Sequence, residues 1–128
     1  MIMFIIKSHK IAIRVDQVKD AQKPTFVVYV DGSLFFGSQD QLTKVTQQLL
    51  SQKAAHIIFS LRGVPTIDHS SIEEFFEIQE MLKEKHIALW FCGLQAPVQT
   101  MMQRLGFVES IGKQHFFASA VSALQALK

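Results

Sequence analysis

The stretch that decides the fold runs from Ile57 to Phe76 and reads IIFSLRGVPTIDHSSIEEFF. Residues 57–61 are mostly apolar and begin with two β-branched side chains, which predicts a short strand buried on both faces. Gly63 and Pro65 then interrupt the apolar run and end the strand. Apolar residues return at helical spacing from Ile72 onward. The stretch therefore predicts a buried strand, a tight loop and the first turns of a helix, and this loop is where we expect function.

Two residues could cap this helix. Ser70 is followed three positions later by Glu73, a capping-box pattern that makes Ser70 the predicted N-cap. Asp68 also lies just ahead of the helix, where a carboxylate more often accepts backbone N–H groups than binds a ligand. We favour this capping or loop-closing role for Asp68. The alternative, that it orients a partner or a ligand at the mouth of the sheet, stays open.

The remaining chain alternates predicted strands and helices. Further strands are predicted at residues 11–15, 26–30 and 87–92, and the Asp31-Gly32 turn predicts a hairpin that pairs residues 26–30 with 34–36. Further helices are predicted from Gly37-Ser38 to about Gln52, from a start with Pro97 near the first position, and from Ala120 to Leu127 behind the cap Ser119. Short extended pieces are predicted at 107–108 and 115–117. This alternation predicts an α/β fold with a mixed, mainly parallel central sheet and about four packed helices.

Composition limits the classes of protein to which the chain can belong. At 128 residues with 48% hydrophobic residues, the chain fits one domain with a core that needs neither disulfides nor metal. Its formal charge of +2 comes from interspersed acids and bases, which argues against nucleic acid as a partner. No apolar run approaches the ~20 residues that span a bilayer, and the apolar start is too short for a signal peptide.

No residue pattern points to catalysis or to a metal. Cys92, the single cysteine, lies in an apolar run and is predicted to be buried as a small hydrophobe. The five histidines are scattered without ligand spacing, so we expect no metal site. Paired carboxylates, a nucleophile elbow and a supported Cys/His pair are also missing from the sequence. We therefore predict that the protein is not an enzyme.

Three segments, taken in order, resemble the STAS domain, especially the form at the cytoplasmic C-terminus of SulP-type (sulfate permease) anion transporters. They are FVVYVDGSLFFG at residues 26–37, VPTIDHSS at residues 64–71, and the region from Leu94 through Gly106-Phe107 to Ile111-Gly112. The resemblance covers about residues 25–127. It divides the chain into an N-terminal lead-in or linker at 1–24, with one strand at most, and a STAS domain at 25–128.

The resemblance implies a function that depends on protein contacts. STAS domains have no established catalytic site, so the chain resembles a non-catalytic cytoplasmic regulatory domain of a SulP-like, sulfate-type anion transporter, acting through residues 64–76. The implied partners are the transporter membrane domain and cytosolic regulatory proteins, with a homodimer as a further option. The implied location is the inner face of the plasma membrane, within an integral membrane transporter. The alternative is a free-standing switch protein, similar to an anti-anti-sigma factor, that binds a kinase-like partner.

The loop itself favours the transporter form of the family. In the free-standing relatives a serine directly after the loop aspartate is phosphorylated, whereas here His69 follows Asp68. The implied partner-binding or regulatory loop consists of Pro65, Thr66, Asp68, His69, Ser70 and Ser71. Ser70 remains a displaced candidate phosphoacceptor, although a phosphate there would meet the nearby Glu73 and Glu74. We predict no cofactor; a nucleotide or anion on the amides of residues 64–71 is a weaker option, because the loop is not glycine-rich.

Overall fold

The computed structural model describes residues 2–7, 11–19, 21–34 and 40–127, and for residues 2–7 it describes the backbone alone. In these ranges six strands form one sheet: β1 (Ile2–Lys7), β2 (Ala12–Gln17), β3 (Thr25–Asp31), β4 (His56–Gly63), β5 (Ala88–Cys92) and β6 (Phe116–Phe117). The strands lie side by side in chain order. The pairs β1–β2 and β2–β3 are antiparallel, and the other three pairs are parallel. The predicted mixed, mainly parallel sheet is confirmed.

Five α-helices accompany the sheet within the described ranges: α1 (Gln41–Leu50), α2 (His69–Glu84), α3 (Ala96–Arg104), α4 (Phe107–Ile111) and α5 (Ala120–Ala126). A 3₁₀ turn at Lys113–His115 leads into β6. The predicted extended piece at 107–108 is wrong, because these residues begin α4. Gly106, at φ 80°, lets the chain leave α3 and enter another helix at once, so that Phe107 and Val108 are buried from a helix.

Helices cover the two faces of the sheet unequally. The strands β3 to β6 advance across the sheet in one direction, so right-handed crossovers place all the connecting helices on one face. The large core cluster agrees, since it joins buried residues of α1, α2, α3 and α4 to the strand residues that point toward them. A smaller cluster on the opposite face joins α5 to Val27, Ile58 and Cys92. Among the helices of the described ranges, α5 is therefore the one that packs on this second face.

Aromatic rings hold α2 against the sheet. The ring of Phe75 meets the rings of Phe59 and Phe91 edge to face, with centroids 5.4 and 5.2 Å apart. Edge-to-face pairs contribute ~0.5–1.5 kcal/mol beyond the area that they bury. Phe75 has no exposed surface. The packing fixes the position of α2, and with it the loop that leads into the helix.

The predicted hairpin between residues 26–30 and 34–36 is wrong. Both edges of β3 are occupied, by β2 on one side and by β4 on the other. Leu34 instead forms an isolated parallel bridge with Ile67. The Asp31-Gly32 pair thus turns the chain out of the sheet instead of reversing it. Residues 35–36, like the predicted helix start at Gly37-Ser38, lie outside the described residues.

The N-terminal segment contributes to the sheet. The predicted strand at 11–15 corresponds to β2, and Ile11, Ile13 and Val15 point into the core as their alternation indicates. The lead-in was expected to hold one strand at most, whereas the structure has two in it, β1 and β2. Within the described residues, no helix combines the length and the apolar character needed to cross a membrane.

Candidate functional site

The loop after β4 is hydrogen-bonded to the segment that follows β3. The backbone N–H of Leu34 donates to the carbonyl of Thr66 at 3.1 Å, and the N–H of Asp68 donates to the carbonyl of Leu34 at 3.0 Å. The Thr66 hydroxyl also donates to the hydroxyl of Ser33 at 3.1 Å. Ile67, between these bonds, turns its side chain into the core. The loop is therefore held at several points and presents a defined shape.

Asp68, and not Ser70, caps α2. Its backbone is extended, and its carboxylate Oδ1 accepts the backbone N–H of Ser71 at 2.9 Å. The predicted capping box of Ser70 and Glu73 is wrong, because the helix begins at His69 and Ser70 is already its second residue. The capping role that we favoured for Asp68 is confirmed.

The predicted site residues divide by exposure. Pro65, Thr66, His69 and Ser70 are exposed, and we call these four residues the loop surface. Asp68 is partly buried, and its carboxylate is engaged in capping the helix. Ser71 has no exposed surface, so it cannot touch a partner in this conformation. The structure thus brings four of the six predicted residues together on one accessible surface.

The two acidic residues near Ser70 differ in exposure and in partners. Glu74 is only 4% exposed, and its carboxylate accepts the backbone N–H and the hydroxyl of Thr43 at 3.0 and 2.9 Å. Glu73 remains at the surface, where it lies 3.0 Å from Nδ1 of His69, with both side chains about two-thirds exposed. Such an exposed pair contributes little to stability. Glu73 is therefore the carboxylate that shares the solvent-exposed surface with Ser70.

The site shows little provision for a metal or a bound anion. Among the described residues no three His, Cys, Asp or Glu side chains come together as metal ligands do. The carboxylate of Asp68 occupies the place at the start of α2 where an anion would meet the N–H of Ser71. Cys92 is buried as predicted, and burial raises the pKa of its thiol, which disfavours the reactive thiolate.

Sequence reasoning missed a cleft on the second face of the sheet. It lies beyond the carboxyl ends of β3, β4 and β5, beside the start of α5, and has a volume of about 470 Å³. Arg14, Tyr29, Arg62 and Val121 are among the residues that line it. Arg14 is out of phase with the buried Ile13 and Val15, a signal that its side chain points to the other face. The cleft itself could not be foreseen, because it depends on where α5 packs.

Comparison with known proteins supports one family. Residues 13–123 match the family model described as STAS domain. A putative sulfate transporter, YvdB from Bacillus subtilis, is 30% identical over 97 residues, which cover 75% of this chain. The matched region is 18% of that transporter, so the chain spans less than a fifth of the length of this curated relative.

Solved structures share the fold. A sulfate transporter family protein from Wolinella succinogenes superposes with a TM-score of 0.73 and 25% identity, over 80% of this chain and 84% of the other. An anti-sigma factor antagonist from Mycobacterium paratuberculosis superposes with a TM-score of 0.69 and 12% identity, over 88% of this chain and 93% of the other. At this low identity the second likeness concerns the fold alone.

Proposed function

Because the chain belongs to the STAS domain family, we propose that it is a non-catalytic regulatory domain of a SulP-like, sulfate-type anion transporter. It works in the cytoplasm, at the inner face of the plasma membrane, as part of the transporter. Its partners are the transporter membrane domain and cytosolic regulatory proteins, and contact between two copies is a further option. Residues 64–76 form the contact region.

The observation that carries this proposal is that the loop surface is exposed while hydrogen bonds hold the loop in place. Pro65, Thr66, His69 and Ser70 are displayed between the bridge to Leu34 and the capped start of α2. A loop that is already ordered loses little conformational entropy when it binds, so a small surface can support a specific contact. The sequence relatives point to transporters, since YvdB is itself named as a putative sulfate transporter.

The test is made in the transporter polypeptide that carries the domain. Ser70→Arg places a bulky charge on the loop surface, at an exposed position where the side chain is not the helix cap. The matched control is Gln125→Arg, an exposed position on α5 on the other face of the sheet. We measure uptake of labelled sulfate together with the amount of transporter in the membrane fraction.

We expect Ser70→Arg to lower uptake or membrane delivery severalfold, and Gln125→Arg to leave both within the range of the unmodified protein. Deleting the whole domain should have at least the effect of Ser70→Arg. Normal uptake and delivery after the deletion would overturn the proposal. Equal effects of the two arginine substitutions would overturn the assignment of the contact to the loop surface.

A second candidate function is a free-standing phosphorylation switch that binds a kinase-like partner. The exposure of Ser70, one residue beyond the position phosphorylated in anti-anti-sigma factors, favours it. Incubation of the chain with ATP and serine kinases, followed by mass spectrometry, tests it. Phosphate on Ser70 that disappears in Ser70→Ala but persists in Ser71→Ala supports the switch, because Ser71 is buried. No phosphate on Ser70 with any kinase tells against it.

A further inference from the structure

The cleft on the second face of the sheet is separate from the loop surface. In open α/β sheets, ligands bind in crevices outside the carboxyl ends of the strands. Here α1 to α4 cover one face and α5 the other, and the cleft lies where α5 begins. Its volume of about 470 Å³ is within the ~300–1,000 Å³ typical of small-molecule sites.

Two guanidinium groups line this cleft. The guanidinium carbon of Arg14 lies 4.1 Å from the centre of the Tyr29 ring, so the ring holds it in place. Nη1 of Arg14 donates to Oδ2 of Asp16 at 2.7 Å, which engages one of its five N–H donors. The side chain of Arg14 is still 42% exposed. Donors of Arg14 therefore remain available to a ligand.

Arg62 has a fixed backbone and an exposed side chain. Its carbonyl accepts the side-chain amide of Gln95 at 2.7 Å. Gly93, at φ +72°, packs so closely that an added Cβ there would lie 3.1 Å from the Cβ of Arg62. The rest of the Arg62 side chain is exposed and lines the cleft. Both arginines thus reach one cavity from positions that the sheet defines.

The other walls add one further donor and an apolar surface. Burial, together with the carboxylate of Asp16, raises the pKa of Tyr29, so its phenol keeps its proton at neutral pH and can donate it to an anion. Val121 is 64% exposed, the one large hydrophobic residue so exposed among those described, and with Ala118 and Ala120 it forms an apolar wall. An exposed apolar residue at the rim of a cavity suits a ligand that carries carbon.

Nearby carboxylates reduce the positive electrostatic potential of the cleft. Asp31 lines it, and Asp16 pairs with Arg14, so the two cations face two anions. A bare ion would gain little from such a balanced site. A carboxylate or phosphate group would bind more tightly, because its oxygen atoms can accept paired hydrogen bonds from a guanidinium group. Such paired N–H···O bonds depend on geometry as well as on charge.

From these features we propose that the cleft is a binding site for a small organic anion. Its carboxylate or phosphate group lies between Arg14 and Arg62 and accepts a hydrogen bond from Tyr29, and its apolar part lies along Val121. The site is distinct from the contact region at residues 64–76, so the domain can bind a cytosolic metabolite-sized ligand and a protein partner at different surfaces.

Calorimetric titration of the chain with four probes tests the proposal. The probes are phenyl phosphate, benzoate and inorganic sulfate, and benzyl alcohol serves as the uncharged probe. We expect at least one of the two aromatic anions to bind with a Kd below about 1 mM, and sulfate and benzyl alcohol to bind at least tenfold more weakly. The variants are Arg62→Gln for the anion contact and Val121→Asn for the apolar contact.

Arg62→Gln should weaken binding of the aromatic anion at least tenfold, and Val121→Asn about threefold to tenfold. The matched control is Arg104→Gln, an exposed arginine at the end of α3 that does not line the cleft and should leave binding unchanged. Three results would overturn the proposal: no binding of either aromatic anion up to about 10 mM, binding that Arg62→Gln leaves intact, or sulfate binding as tightly as the tighter of the two aromatic anions.

Discussion

Glu74 of α2 binds the first turn of α1 through Thr43. Its carboxylate Oε2 accepts both the backbone N–H and the hydroxyl of Thr43, at 3.0 and 2.9 Å. The α1 helix needs this contact, because its own N-cap residue Asp40 has a left-handed backbone and makes no side-chain capping bond. The two helices that flank β4 are therefore joined by a carboxylate that caps one helix from the middle of the other.

Replacing Glu74 by alanine should be strongly destabilising. The change leaves a helix N–H group of α1 unpaired in a partly buried place and removes two charge-assisted hydrogen bonds, each contributing ~1.5–3 kcal/mol. We expect a loss of about 2–4 kcal/mol in the free energy of unfolding, measured by urea denaturation. The neighbouring Glu73→Ala, at an exposed position, is the control and should change stability by less than ~0.5 kcal/mol. Equal effects of the two substitutions would contradict the capping role.

The cap of α2 can be tested with Asp68 and Ser70. Asp68→Ala removes the acceptor for the N–H of Ser71 and should lower stability by about 1 kcal/mol, whereas Asp68→Asn, which keeps an oxygen in place, should lower it less. Ser70→Ala should have almost no effect, because Ser70 is not the cap. If thermal unfolding showed a larger loss for Ser70→Ala than for Asp68→Ala, the capping box predicted from the sequence would be restored.

Ser71 offers a stabilising substitution. Its hydroxyl is buried and has no hydrogen-bond partner among the described residues, so it carries a desolvation cost without compensation. Ser71→Ala removes that cost and keeps the backbone N–H that Asp68 accepts. We expect a gain of ~0.5–1 kcal/mol in the free energy of unfolding.

The matched control for Ser71 is a buried hydroxyl that does have a partner. Thr46, on α1, donates its hydroxyl to the carbonyl of Leu42 at 2.8 Å. Thr46→Val should therefore lower stability, by ~0.5–1.5 kcal/mol. A loss of stability in Ser71→Ala comparable with that of Thr46→Val would show that the hydroxyl of Ser71 does have a partner.

Local periodicity was sufficient to predict most of the fold. The strands at 57–61 and 87–92 have apolar runs too long to be loops and too short to be helices, and both lie inside the sheet as β4 and β5.

The prediction of a hairpin was wrong for a reason that is not local. Asp31-Gly32 has the residues of a tight turn, but the edge of β3 that the returning strand would need is taken by β4, from 25 residues further along the chain.

The candidate functional site was predictable in part. The loop position of Pro65 and Thr66 could be predicted because Gly63 and Pro65 end the apolar run of the strand. The role of Asp68 could be predicted from capping chemistry. The role of Glu74 could not be predicted, because its partner Thr43 is 31 residues away and is reached only when α1 and α2 pack together. The cleft depends in the same way on long-range packing, since Arg14 and Arg62 line it from β2 and β4, on opposite sides of β3.

His56 and Trp90 form a hydrogen bond that depends on pH. The indole Nε1 of Trp90 donates to Nδ1 of His56 at 3.1 Å, so Nδ1 must be unprotonated. Burial, and then the positive charge of Lys23, lower the pKa of His56 below its ordinary value. As the pH falls, the unfolded chain therefore binds this proton before the folded protein does. Stability present above about pH 6.5 should be lost as the pH falls toward the lowered pKa of the folded state.

Urea unfolding followed by the fluorescence of Trp90, the single tryptophan, measures this loss between pH 8 and pH 5.5. His56→Gln keeps an acceptor for the indole but cannot titrate, so the fall in stability on acidification should be smaller than in the unmodified protein. His86→Asn, at an exposed position with a left-handed backbone that asparagine tolerates, should keep the full pH dependence. If the stability of His56→Gln fell with pH as much as that of the unmodified protein, a group other than His56 would take up the proton that is linked to unfolding.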